Sequence, residues 1–114
     1  ISLAHNLDID LDTWWTRATL HEGGWRTLDW FGSFLLTAED RWVYHSDLGW
    51  VYLHSDQQGG VWLWKEGLDW VWTSPTASPF YWMESSSDWL YPLHLKANLQ
   101  IFWDYSAQKA IRLL

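Results

Sequence analysis

From residue 41 onward, large aromatic residues alternate with smaller apolar ones in short runs broken by polar turns. Trp42-Val43-Tyr44 and Trp50-Val51-Tyr52 flank one such turn, and Trp62-Leu63-Trp64 and Trp70-Val71-Trp72 flank "KEGLD". Alternation with a period of two is the signature of a strand, and two such runs around a short polar stretch form a hairpin. If Tyr44 faces Trp50, then Trp42 faces Tyr52, with residues 45–49 as the loop. The next unit pairs Trp64 with Trp70 and Trp62 with Trp72. The third pairs Trp82 with Trp89 and Phe80 with Tyr91 around a loop one residue longer. Aromatic residues directly opposite one another contribute roughly 0.2–1 kcal/mol per pair over alanine. Three units place them alike, which supports this register.

The units repeat. Leu-Asp-Trp at 28–30, Leu-Gly-Trp at 48–50 and Leu-Asp-Trp at 68–70 recur every 20 residues, and Trp42, Trp62 and Trp82 step by the same interval. Two interleaved series with one period predict a repeated two-strand unit. Residues 25–36 should supply a strand for 41–46, with Gly32 lying under a cross-strand aromatic ring. The end, "IFWDYSAQKAIRLL", reads as a worn copy of "FYWMESSSDWLYPL" with Ala110 where Trp89 stood, as a terminal cap should. A short helix from Ser106 is the alternative there. Loops are expected near 37–40, 54–60, 73–79 and 92–98. At the other end, Leu7, Ile9 and Leu11 alternate with Asp8, Asp10 and Asp12, a strand with one acidic face. The expected fold is an all-β antiparallel meander of roughly eight short strands. Its repeat domain spans 25–114, and residues 1–24 form an N-terminal strand or the tail of a preceding region.

Composition sharpens this picture. Thirteen of the 114 residues are tryptophan, and there is no cysteine, hence no disulfide framework and no thiol chemistry. Alternation puts Trp42, Tyr44, Trp50, Tyr52, Trp62, Trp64, Trp70, Trp72, Trp82, Trp89 and Tyr91 on one face. Val43, Val51, Leu53, Val61, Leu63, Val71, Met83 and Leu90 lie on the other. Both faces are apolar, unlike an ordinary sheet with one side in water. Such a sheet is covered on both sides, curls on itself, or leaves aromatic rings for a partner. A membrane barrel does not fit, because strands of this kind are shorter than the ~9–11 residues a bilayer requires. The net charge is −7, and residues 1–92 alone carry a net −9. An acidic body repels phosphate backbones, which argues against nucleic acid. The chain begins at Ile1 rather than Met and reads as a processed product or a piece of something longer.

The chemical constellations are weak. His45-Ser46-Asp47 and His54-Ser55-Asp56 contain the letters of a catalytic triad, but triad members meet in space from separate elements. Turn chemistry explains Ser and Asp in both places. Asp8, Asp10 and Asp12 mimic the start of a calcium loop, but Thr13 stands where glycine is needed and Thr19 where glutamate is needed. The five histidines lack metal-ligand spacing. Asp29, Asp69 and Asp88 precede repeat tryptophans and read as turn residues rather than opposed glycosidase carboxylates. No cofactor and no metal are expected. Among the aromatic residues, Trp50, Trp70 and Trp89 lie next to loops, where a cleft can open, and are the candidate ligand-binding platform.

The order of "LDWFGSF", "RWVYHSDLGWVYL", "GGVWLWKEGLDWVWTSP", "PFYWMESSSDWLYPL" and "FWDYSAQK" resembles the tryptophan-rich repeat module at the C-terminal end of many large secreted or surface-exposed bacterial proteins. The resemblance covers about residues 25–112. That module has no established activity, so the resemblance implies extracellular placement and a terminal position, not a reaction. A looser likeness is to choline-binding cell-wall repeats, through Gly49-Trp50 and Gly60-x-Trp62-x-Trp64. Trp30 and Trp70 depart from that pattern, being preceded by Leu-Asp rather than Gly. The functional expectation is a secreted or surface-exposed, non-enzymatic structural, attachment or self-association module. Its partners would be other copies of itself or neighbouring domains, with no membrane insertion. The alternative is a carbohydrate-binding module that uses an aromatic platform for polysaccharide.

Overall fold

The computed structural model describes residues 13–39 and 41–113. They form one antiparallel sheet of eleven strands in which each strand pairs with its neighbours in sequence. In chain order these are β1 (Thr19–Leu20), β2 (Trp25–Leu28), β3 (Gly32–Leu36), β4 (Trp42–His45), β5 (Gly49–Ser55) and β6 (Val61–Lys65). There follow β7 (Asp69–Thr73), β8 (Tyr81–Met83), β9 (Asp88–Lys96), β10 (Leu99–Asp104) and β11 (Lys109–Leu113). The all-β meander is therefore as the alternation predicts. The strand count is higher, chiefly because residues 25–36 fold into a hairpin of their own. Leu28 faces Gly32 across it, and β3 then pairs with β4. The acidic alternation at 7–12, and with it the calcium-like triplet, lies outside the described residues.

The register agrees with the aromatic pairing. Trp42 faces Tyr52 and Tyr44 faces Trp50; Trp62 faces Trp72 and Trp64 faces Trp70; Trp82 faces Trp89. Phe80 precedes β8, yet its ring packs on Tyr91 at 5.2 Å. The last segment is a hairpin, not a helix, and Ala110 faces Trp103 where the repeat elsewhere sets two aromatic residues.

Register fixes the faces, and burial shows which one is the core. Val43, Val51, Leu53, Val61, Leu63 and Leu90 are completely buried, joined by Phe34 from β3 and Phe102 from β10 in a single cluster. Among the described residues no helical layer covers this face, and the sheet covers it by coiling. Three hydrogen bonds record the coil. Trp14 Nε1 donates to Gly60 O over 46 residues, Ser78 Oγ to Trp30 O over 48, and Gln100 Nε2 to Asp47 O over 53. A 3₁₀ turn at Trp14–Arg17 carries the fully buried Trp15 into the same cluster. Each completely buried Val or Leu contributes about 1.5–3 kcal/mol relative to an exposed one. The coil thus gives a thin sheet a core without a second layer.

The turns explain the Leu-x-Trp repeat. In the β4–β5 and β6–β7 hairpins, Leu48 and Leu68 are the last loop residues and are buried. The next residue, Gly49 or Asp69, takes a left-handed conformation at φ 74° or 59° and starts the strand. This is a three-residue hairpin loop closed by a left-handed residue. The Leu drops into the core and the following Trp faces outward. Leu28-Asp29-Trp30 has the same letters but a different place. Leu28 ends β2, Trp30 lies in the turn, and Phe31 takes the buried position that Leu48 and Leu68 take later. The 20-residue series is therefore out of phase with the hairpins at its first member. Gly32 does lie under a cross-strand ring, but the ring is the imidazole of His45.

The loop expected at 92–98 shrinks to a two-residue turn at 97–98. β9 runs through Pro92 to Lys96, with a register shift opposite Ile101 and Phe102. β8 pairs only with residues 88–90, so β9 beyond Tyr91 has one free side. An edge with a bulge is where a strand accommodates proline.

Candidate functional site

Because the aliphatic face is the core, the aromatic face is the outside. Its rings are clasped across strands. Trp42 and Tyr52 lie 5.3 Å apart at 73°, Tyr44 and Trp50 5.4 Å apart at 70°, and Trp82 and Trp89 5.3 Å apart at 75°. Edge-to-face contact is what ring quadrupoles favour. Indole N–H groups are tied down locally: Trp72 Nε1 donates to Asp56 Oδ2 at 2.9 Å, and Trp82 Nε1 to Glu84 Oε1 at 3.0 Å.

The three tryptophans nominated from sequence all lie on this face, but the structure does not bring them together. Trp50, 55% exposed, borders a recess with Trp42, Tyr44, Trp64 and Lys65. Burial lowers the Lys65 ammonium pKa there, against the opposing pull of Glu66. Trp70 borders a smaller recess with Tyr52, His54 and Trp62. Trp89 lines a third, a cleft of about 470 Å³ with Thr76, Ala77, Phe80, Asp88 and Tyr105. Here Phe80 and Tyr105, 37% and 42% exposed, are 6.4 Å apart at 34°. That is the smallest interplanar angle among the described ring pairs. Trp89 meets Phe80 in a T-shaped contact, 6.3 Å apart at 79°.

Sequence reasoning did not single out Phe80 and Tyr105 for this role. Phe80 was legible only as Tyr91's partner, and Tyr105 only as part of a terminal motif. The cleft joins a loop, a strand and a turn far apart in sequence, and no local pattern signals that.

The triad letters prove to be turn chemistry. His45 is buried. Its Nε2–H donates to Phe31 O, and its Nδ1 accepts the amides of Asp47 at 3.0 Å and Leu48 at 3.2 Å. Desolvation lowers its pKa, only partly offset by the Phe31 carbonyl and Asp47. Ser55 Oγ accepts the Gln57 amide, and Asp56 Oδ1 accepts the amides of Gln58 and Gly60, which closes the β5–β6 turn. Asp29 and Asp69 are exposed on separate hairpins, and Asp88 lines the cleft. Among the described residues, no group of three or more His, Asp or Glu side chains is placed to hold a metal.

Fold and surface together define a coiled, tryptophan-rich β-hairpin meander with an aliphatic inside and an aromatic outside. No family model, curated protein or solved structure matches the chain.

Proposed function

We propose that this chain is a non-enzymatic attachment module that holds a partner on its outer aromatic face. One observation carries the reading. The core is built from the aliphatic face, so rings as exposed as Trp50 at 55% are not needed to fill it. Exposed aromatic surface of this kind marks a recognition site. Both His-Ser-Asp motifs are engaged in backbone turns, which supports a binding role over a catalytic one. Placement outside the cell rests on the resemblance to the repeat module of secreted bacterial proteins.

The sheet edges are less suited to attachment than the face. β1 has only two residues, and β11 exposes Lys109 and Arg112, the kind of charge that discourages strand addition. Carbohydrate is the second reading, favoured by the cleft at Trp89, where ring faces are open.

The test is co-sedimentation of the chain with insoluble polysaccharides and bacterial cell-wall material, together with sedimentation velocity of the chain alone. Pelleting or self-association that Trp50→Ala or Trp70→Ala weakens, with the fold intact by circular dichroism, is expected. A folded wild type that neither pellets nor self-associates overturns the reading.

A further inference from the structure

We infer that the cleft between Phe80, Trp89 and Tyr105 is a binding site for the pyranose rings of an uncharged oligosaccharide. The inference deepens the attachment reading and rests on it. Three separate segments build the cleft: the loop before β8 gives Phe80, β9 gives Asp88 and Trp89, and the β10–β11 turn gives Tyr105. Its volume of about 470 Å³ lies within the ordinary range for small-ligand sites.

Ring geometry separates this cleft from the rest of the aromatic face. The other described ring pairs meet edge to face or at steeper tilts, from 44° to 87°, so each covers part of its neighbour. Phe80 and Tyr105, at 34°, present two faces at a shallow angle, and both are more than one-third exposed. Neither belongs to the buried cluster. A pyranose has one face of C–H groups with partial positive charge, which the negative face of an aromatic ring attracts through its quadrupole. Its hydroxyls need acceptors and donors at the rim. Asp88 Oδ1 accepts the Trp89 amide at 2.8 Å, which leaves the second carboxylate oxygen for a sugar hydroxyl. Thr76, whose hydroxyl pairs with Ser74 Oγ at 3.2 Å, and Tyr105 line the same cleft. Charge sets the class of sugar. A carboxylate in the cleft and a net charge of −7 repel uronic or sulfated chains, so the fitting ligand is neutral.

Affinity electrophoresis of the intact chain in gels containing soluble polysaccharides tests this. The panel is a neutral mixed-linkage glucan, a neutral glucomannan and anionic polygalacturonate, with titration of choline chloride alongside. Retardation by a neutral polysaccharide is expected. Tyr105→Ala should weaken it about tenfold, as for a central contact. Tyr105→Trp, which keeps a ring face, should retain it, and Leu20→Ala, an exposed residue of β1 outside the aromatic face, should change it less than about twofold. Near-ultraviolet circular dichroism checks that each variant is folded. Retardation that survives Tyr105→Ala but is lost in Trp50→Ala overturns the cleft and leaves attachment standing. Binding of polygalacturonate or choline alone overturns the neutral-sugar chemistry. If no neutral polysaccharide retards the folded chain, the inference fails, whereas attachment fails only if the sedimentation tests are negative too.

Discussion

The hairpins β4–β5 and β6–β7 differ from β8–β9 and β10–β11, although one repeat underlies all four. In the first pair a three-residue loop puts Leu48 or Leu68 into the core and a left-handed Gly49 or Asp69 at the start of the next strand. In the second pair the loop is one residue longer, and the left-handed residue, Ser87 or Gln108, ends the loop instead. No residue of either longer loop is buried, and Tyr105 at the start of the last one points to solvent. One residue of loop length thus separates a turn that locks a leucine into the core from one with no buried residue, and in β10–β11 that turn displays Tyr105. Edge-to-face pairs occur in both halves, as Trp42–Tyr52 and Trp82–Trp89 show, but the cleft belongs to the open hairpins.

The strongest way to break the comparison is to remove a turn residue from each half. Leu68→Ala should destabilise by about 2–5 kcal/mol, as for a buried leucine that leaves a cavity. Tyr105→Ala should stay within about 0.5 kcal/mol, as for an exposed side chain outside the core. Urea unfolding measures both. Equal losses would mean that the two kinds of turn carry the same load.

A smaller effect comes from His45, which only the locked half possesses. Its Nδ1 accepts two backbone amides and cannot do so when protonated, and desolvation lowers its pKa in the folded chain. The unfolded chain therefore binds this proton more readily. The contribution is whole above the unfolded pKa of about 6.5 and is lost as pH falls from there toward the folded value, by at most about 1.4 kcal/mol per pH unit. Unfolding free energies at pH 7.5 and pH 5.0 should show a larger acid loss in wild type than in His45→Gln. Identical losses would remove His45 as their source.

The smallest effect sharpens the comparison within the locked half. Asp69 holds at φ 59° the left-handed position that Gly49 fills at 74°. Asp69→Gly should stabilise by about 0.5–1 kcal/mol by relieving the left-handed penalty. Gly49→Ala should destabilise by more, because its Cβ would also meet the Ala97 carbonyl oxygen at 3.2 Å. Thermal melting of the two variants should move in opposite directions.

Strand pairing was the most legible property. A side-chain period of two and aromatic residues on both arms leave one register per hairpin, because a one-residue slip would exchange the faces. The errors share a different cause: they fall where the letters repeat but the backbone phase does not. Leu28-Asp29-Trp30 matches Leu68-Asp69-Trp70 by type, yet Gly32 takes the left-handed role and moves the turn. The loop expected near 92–98 is the other error, because β8 ends short of Pro92 and leaves that part of β9 on a free edge.

The candidate site was legible only in part. The sequence put Trp50, Trp70 and Trp89 on one shared face, which the structure turns outward, but a shared platform requires rings from different hairpins to meet. Alternation says which rings share a face and nothing about which distant ring each will meet.

The local pattern alone determined the meander, the pairing of Trp42 with Tyr52 and of Trp62 with Trp72, and the separation of an aliphatic from an aromatic face. These follow from interactions across one turn, where the chain itself sets distance and register. Only the tertiary structure decided that the aliphatic face coils inward, and that Phe80, Trp89 and Tyr105 surround one cleft. The coil is a compromise among strand twist, turn length and the area that eleven strands must bury, and no single repeat contains those terms.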